Sequence, residues 1–258
     1  MDQQQLATSF RELHHADSPL VLYNIWDAAT AIAATEAGAT AIATGSHSVA
    51  GAHGYPDGEA IPLALLLTIA ERIAVSTPLP LSIDFETGFA ESRDVLAANT
   101  RRLIETGAVG INFEDQRIDS GSLRDTDAQC GRIDAVRQAA RSAGIDLFIN
   151  ARTDVFLLTP QERHRQVVDD AIERGNRYCA AGADGLFVPG LSDPDAIGRV
   201  CERVDAPINV MMGAGTPEFT TLAELGVARI SYGPGPFNNA LRRFGESAAA
   251  IHGNSRLA

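Results

Sequence analysis

Three cysteines in 258 residues, Cys130, Cys179 and Cys201, are too few and odd in number for a disulfide framework, and none stands in a CxxC pair that would suggest zinc. All three fall in helix-like segments without a partnered histidine, which argues against a cysteine nucleophile and fits a reducing compartment. Basic charge is also scarce. Lys plus Arg number 21 against 33 Asp plus Glu, a net charge of −12 with no basic run. That balance argues against nucleic acid and anionic membranes as partners, although a local site can still hold a small anion. No apolar run reaches the roughly 18 residues that a membrane helix needs. The N-terminus MDQQQLATSFRELHHADSP lacks the basic start and apolar stretch of a signal peptide, so a cytoplasmic protein is expected.

What is present is the composition of an ordinary globular chain, 45% hydrophobic and 21% charged, with no break that marks a second domain. Eight short apolar or β-branched runs predict strands at Leu20–Asn24, Ala41–Thr44, Leu81–Asp84, Gly110–Phe113, Leu147–Ala151, Gly185–Val188, Ile208–Val210 and Arg229–Ser231. Segments with helical spacing lie between them, and Phe237–His252 follows the last. A recurring helix-end phrase, Ala37-Gly38-Ala39, Thr106-Gly107-Ala108 and Ala181-Gly182-Ala183, with Leu225-Gly226-Val227 as a looser copy, places glycine at left-handed C-caps. Eight such units predict an α/β fold, a (β/α)8 TIM barrel formed as one domain over residues 1–258.

Barrels of this kind build their sites at the C-terminal ends of the strands. Asp84 and Glu86 sit two apart at one strand end, expected to face the same side, and Glu114 ends the next strand. Three carboxylates there repel one another unless a cation or proton lies between them, and oxygen-only ligands suit Mg2+, with Mn2+ as the alternative. Arg152 ends the fifth strand, where its guanidinium fork can hold a carboxylate or an enolate oxygen. Gly45, Ser46 and His47 follow strand two and offer backbone amides to an anion. His47 and His53 flank a glycine-rich stretch, 47–57, read as a mobile lid or acid/base loop. Trp26, Tyr55, Phe156, Tyr232 and Asn209 are placed to line a pocket. His14 and His15 are expected on the surface of an N-terminal helix.

The series Gly54-Tyr-Pro-Asp57, Asp84-Phe-Glu86-Thr-Gly88, Gly110-Ile-Asn-Phe-Glu114-Asp115 and Ala151-Arg152-Thr153-Asp154 resembles the isocitrate lyase and phosphoenolpyruvate mutase superfamily from about residue 20 to 237. The resemblance implies a barrel whose last helix is exchanged between subunits, a homodimer or homotetramer, and a Mg2+ ion that stabilises a 2-oxo acid enolate. It implies Asp84 as the direct metal ligand, Glu86 and Glu114 holding metal-bound waters, Asp57 in the same shell, and Arg152 on the substrate. The amides of Gly45, Ser46 and His47 would then hold the substrate's acid group.

Three departures from the family pattern bear on the chemistry. The Lys-Lys-Cys-Gly-His-like stretch of the isocitrate-type lyases is replaced by Gln116 to Asp125, without cysteine or histidine. The mutases' Lys-Thr-Asn-Ser-like gating loop survives only in part, in Ser120-Gly121-Ser122-Leu123, which leaves Ser122 as a catalytic candidate. Glutamate stands at position 86 where the family has a second aspartate. The expected function is a Mg2+-dependent lyase of a small 2-oxo or 2-hydroxy dicarboxylic acid, by C–C cleavage or decarboxylation. The alternative is phosphoenolpyruvate mutase or phosphonopyruvate hydrolase-like P–C chemistry, and, from another class, a barrel that binds a 2-oxo acid without turnover.

Overall fold

The structure is a computed structural model that describes residues 1–15 and 18–254. Its elements run α1 Gln3–Leu13, β1 Leu20–Leu22, α2 Ala28–Glu36, β2 Ile42–Ala43, α3 Ser46–Ala52, α4 Leu63–Ala74, β3 Leu81–Asp84, α5 Arg93–Glu105 and β4 Gly110–Glu114. They continue α6 Thr126–Ser142, β5 Phe148–Arg152, α7 His164–Ala180, β6 Gly185–Phe187, α8 Pro194–Arg203, β7 Ile208–Met211, α9 Phe219–Glu224, β8 Arg229–Ser231 and α10 Gly235–Asn254. All eight strands are parallel, in the order β1-β8-β7-β6-β5-β4-β3-β2. Between β1 and β2 only a single bridge, Ile25 to Thr44, closes the ring. The result is a nearly closed (β/α)8 barrel.

Local sequence explains the element ends. Asp27 accepts from Thr30 N while the Thr30 hydroxyl reaches back to Asp27, capping α2; Ser92, Asp125 and Asp193 cap α5, α6 and α8 through their side chains. Gly38, Gly107, Gly182 and Gly226 close helices with φ between 87° and 112°, as the repeated phrase predicts. Two readings need correction. Residues 47–52 are not a loop: Ser46–Ala52 is helical because Val49 and Ala50 are buried, and Gly51 serves packing, since a Cβ there would lie 3.0 Å from the Phe237 ring. Apolar spacing reads the helix before β5 only over Ile133–Ala143, whereas α6 starts seven residues earlier, at Thr126, because the Asp125 cap sets its first turn.

The core has two parts. One lies between the sheet and the helices, around Ile83, Ile111, Ile149, Leu186 and Val210. The other fills the lower barrel with Phe10, Leu20, Leu22, Ala43 and Phe148. α1 closes that end: Phe10 sits against Gly110, where a Cβ would meet its ring, and His14 stacks on Phe148 with centroids 3.9 Å apart. His14 is therefore buried rather than on the surface, and burial, then Arg229's charge, lowers its pKa to about 3. At the other end of the chain, α10 over residues 235–253 is buried only at Pro236 and Phe237, leaving Leu241 and Phe244 exposed. No described helix is long and apolar enough to cross a membrane.

Candidate active site

Strand-end residues enclose a cavity of about 190 Å3. Asp57, Asp84, Asn112, Arg152 and Ser231 supply polar walls, the Gly45-Ser46-His47 turn another side, and Leu157, Phe187 and Met211 apolar ones. A larger depression, about 690 Å3, lies on the opposite face around Arg11, His14 and Asp184, and none of the strand-end acids lines it.

β3 brings Asp84 to the cavity, where it is 8% exposed. Its Oδ2 accepts from Ser46 N at 3.0 Å, and its Oδ1 is buried with no partner among the described residues. Burial raises its pKa, against the pull of Arg152. The strand ends at Asp84, so alternation along β3 does not set the direction of the Glu86 side chain. Glu86 adopts φ 48°, a left-handed conformation uncommon for a side-chain-bearing residue. A clasp holds it there: Glu59 N donates to Glu86 Oε2 at 2.7 Å, while the Glu59 carboxylate accepts from Thr87 N, Thr87 Oγ1 and Phe89 N at 2.7–2.9 Å. Burial, then the Asp84 charge, pushes Glu86 up to about 8.

Arg152 is fixed by two acids. Nε and Nη2 donate to Asp154 at 2.6 and 3.0 Å, and Nη1 pairs with Glu114 Oε2 at 2.9 Å. Two of the five N–H groups are committed to Asp154, which leaves hydrogens on both terminal nitrogens for a ligand. Burial opposes its charge, but Glu114, Asp154 and Asp84 outweigh burial and raise its pKa. Burial also lifts Glu114 well above the carboxylate range despite Arg152. Behind this group Asp115, fully buried, accepts from Asp154 N, Thr153 Oγ1 and Tyr178 OH at 2.8–3.0 Å and so ties the Arg152 loop to α7.

A metal fits this donor set in one way. Among the described residues no three carboxylates, histidines or cysteines converge on one point to ligate an ion directly. The unpartnered Asp84 Oδ1 nevertheless offers one buried anionic ligand, and the charges of Asp57, Glu86 and Glu114 act on one another and on Asp84 around it. Mg2+ commonly retains several waters and binds through one or two carboxylates.

The structure gathers Asp57, Asp84, Arg152, Gly45, Ser46 and His47 around the cavity and sets Glu86 and Glu114 beside it. It does not bring in the others. Ser122 lies exposed in a hairpin turn, sharing a hydrogen bond with Ser120 Oγ at 2.8 Å, and is not among the lining residues. Trp26 packs edge-on against Phe237, 5.2 Å between centroids, outside the cavity. Asn209 is buried one step below, accepting from Ser231 Oγ at 3.2 Å, and Tyr55, Phe156 and Tyr232 do not line the cavity. The Ser46 amide is taken by Asp84, so it is not free for substrate. Sequence reasoning missed Glu59, Asn112, Ser231 and the walls Leu157, Phe187 and Met211. Of these only Asn112, inside the Gly110–Glu114 motif, carried a local signal.

The phosphoenolpyruvate phosphomutase family model matches residues 10–252. The chain is 34% identical over 251 residues to an uncharacterized protein of Mycobacterium tuberculosis, covering 96% of this chain and 91% of the relative. It is 31% identical to the 2-methylisocitrate lyase of Escherichia coli, covering 83% and 72% of the two chains, and 28% identical to an oxaloacetate decarboxylase of Pseudomonas syringae, covering 93% and 82%. A solved structure from Burkholderia cenocepacia, provisionally assigned as a phosphonomutase, is similar with a TM-score of 0.93 and 45% identity over 97% of this chain and 99% of that one. A 2,3-dimethylmalate lyase structure gives a TM-score of 0.85 and 26% identity over 97% and 88%. With its barrel, its strand-end acids and these likenesses, the chain belongs to the phosphoenolpyruvate phosphomutase family of the isocitrate lyase and phosphoenolpyruvate mutase superfamily.

Proposed function

We propose that this chain is a Mg2+-dependent lyase of small 2-oxo or 2-hydroxy dicarboxylic acids, breaking a C–C bond by aldol-type cleavage or decarboxylation to leave a pyruvate-type enolate. One observation carries the reading: Asp84, with an uncommitted buried oxygen, and Arg152, with uncommitted N–H groups on both terminal nitrogens, line the same small cavity. All 21 basic residues are arginines, so no lysine is available to form an imine with a 2-oxo acid. The enolate must therefore be stabilised electrostatically.

Asp84 would hold the divalent ion, with Glu86, Glu114 and Asp57 accepting from its waters; when bound, the ion supplies Lewis-acid stabilisation of developing negative charge on oxygen. Arg152 orients the substrate through its uncommitted hydrogens, and Asp154 and Glu114 hold the fork still. Leu157, Phe187 and Met211 exclude water from the carboxylate that lies against them. That favours a step in which a carboxylate leaves as uncharged CO2, which needs no general acid. The 2-methylisocitrate lyase and oxaloacetate decarboxylase relatives support both variants of the reading. We include a cytoplasmic location in it, and a homodimer or homotetramer in which the exposed α10 packs on a second copy.

P–C chemistry is the second reading, favoured by the family match and by the 45% identical structure. Combined proton and phosphorus NMR on the protein with Mg2+, oxaloacetate, malate derivatives and phosphonopyruvate separates the two. Pyruvate formed from a carbon acid, and lost in Asp84→Ala, is the expected result. A phosphorus signal that moves instead replaces it with the second reading, and no change in either spectrum refutes both for this panel.

A further inference from the structure

Below the cavity floor the barrel holds a charge that the proposed chemistry leaves unused. Arg229 on β8 is fully buried. Its Nη2 donates to Asn112 Oδ1 at 3.1 Å and its Nε to Ser231 Oγ at 3.4 Å, while Nη1 has no partner among the described residues. Strand register sets it level with Leu20 on β1 and Asn209 on β7, one layer beneath Ser231 and Met211. In that layer Asn209 Nδ2 is also without a partner among the described residues.

A buried guanidinium without a counter-ion is costly to keep. Among the described residues no carboxylate reaches ion-pair distance of Arg229, and Asp84 is the acid whose field opposes the burial that lowers its pKa to about 9. The group thus stays charged at neutral pH. Its two acceptors, Asn112 and Ser231, both line the cavity. Asn112 Oδ1 is engaged twice, by Arg229 and by Asn150 Nδ2 at 2.9 Å, so the Asn112 amide is fixed with Nδ2 as the donor left for a ligand. The cavity itself carries the negative charges of Asp57 and Asp84 and the positive charge of Arg152.

We infer that Arg229 is a positioning residue that sets ligand charge: its uncompensated positive charge, one layer below the floor, makes the cavity favour a dianion over a monoanion of the same shape. The inference rests on the cavity being the substrate site proposed above. Oxalate and oxamate form the test pair, since they are nearly isosteric and carry two charges and one.

Isothermal titration calorimetry in excess Mg2+ on the wild type, Arg229→Gln and Arg229→Lys reads the effect. The wild type should prefer oxalate at least tenfold. Arg229→Gln should lose at least tenfold in oxalate affinity and less than threefold for oxamate, and Arg229→Lys should keep most of the preference. Equal losses for the two ligands, or an unchanged ratio, would mark Arg229 as structural and overturn the inference alone. Should the glutamine variant not fold, a lysine variant without the preference overturns it equally. A wild type that binds neither ligand removes the proposed function and this inference together.

Discussion

Raising the pH from 6 to 9 should destabilise the metal-free protein through one side chain, Glu86. Its folded pKa of about 8 stands above the ordinary 4.5. Folding therefore favours the protonated form, and the stability this adds is fully present below about 4.5 and gone once the pH passes about 8. Between pH 6 and 9 the unfolded chain is already ionised at this residue while the folded one must give up its proton. The difference integrates to about 2 pH units, or roughly 3 kcal/mol at 1.36 kcal/mol per unit. For a chain of this size that is roughly 6–12 °C in Tm. Asp84 and Glu114, also raised by burial, act in the same direction. Thermal melts in chelator at several pH values, wild type against Glu86→Gln, isolate the Glu86 share, because glutamine still offers an oxygen to Glu59 N. The variant should have the shallower slope, and excess Mg2+ should flatten the wild-type slope by favouring the ionised acids. Superimposable wild-type and variant slopes without metal would refute the reasoning.

Three further outcomes follow from the same contacts. Glu59→Ala strands two backbone amides and a hydroxyl that its carboxylate now satisfies, and should cost about 3 kcal/mol in urea unfolding. Asp154→Asn loses the charge opposite Arg152 Nε and should lower kcat/KM for the cleaved acid roughly tenfold to a hundredfold with the far-UV spectrum unchanged. Ser122→Ala removes a hydroxyl that meets only Ser120 across an exposed turn, so steady-state turnover should stay within about twofold; a large drop would return Ser122 to the site.

The eight strands were legible because each is short, apolar and closed by a polar strand end, and Leu81–Asp84 and Arg229–Ser231 match to the residue. The strand-end acids and Arg152 were legible for the same reason, since barrel topology turns a linear list of strand ends into one surface. Glu59 was not. It lies in an irregular segment between α3 and α4 and meets Glu86 and Phe89 only through the fold, at 27 and 30 residues' separation. Histidines misled in the opposite way: His14 looks like a surface residue of an amphipathic helix until Phe148, far along the chain, is found beneath it. Ser122 and Trp26 follow strands as the site residues do, but the hairpin at 116–123 and the Phe237 ring carry them elsewhere. Arg229 reads as an ordinary basic residue at a strand start; only strand register shows that it faces the interior.

The closed lower end has a bearing on how far that interior charge is felt. Phe10, Phe148 and a histidine kept neutral form a buried, largely apolar stopper on one side of Arg229, while the cavity opens on the other. Field lines from a charge insulated on one side leave through the side that stays polar, so α1 works as a dielectric backing for a mouth it never touches. Trimming the first fifteen residues should then do more than loosen the fold. Water admitted from below would screen Arg229, and the cavity's grip on anions would fade although every residue lining it remained in place.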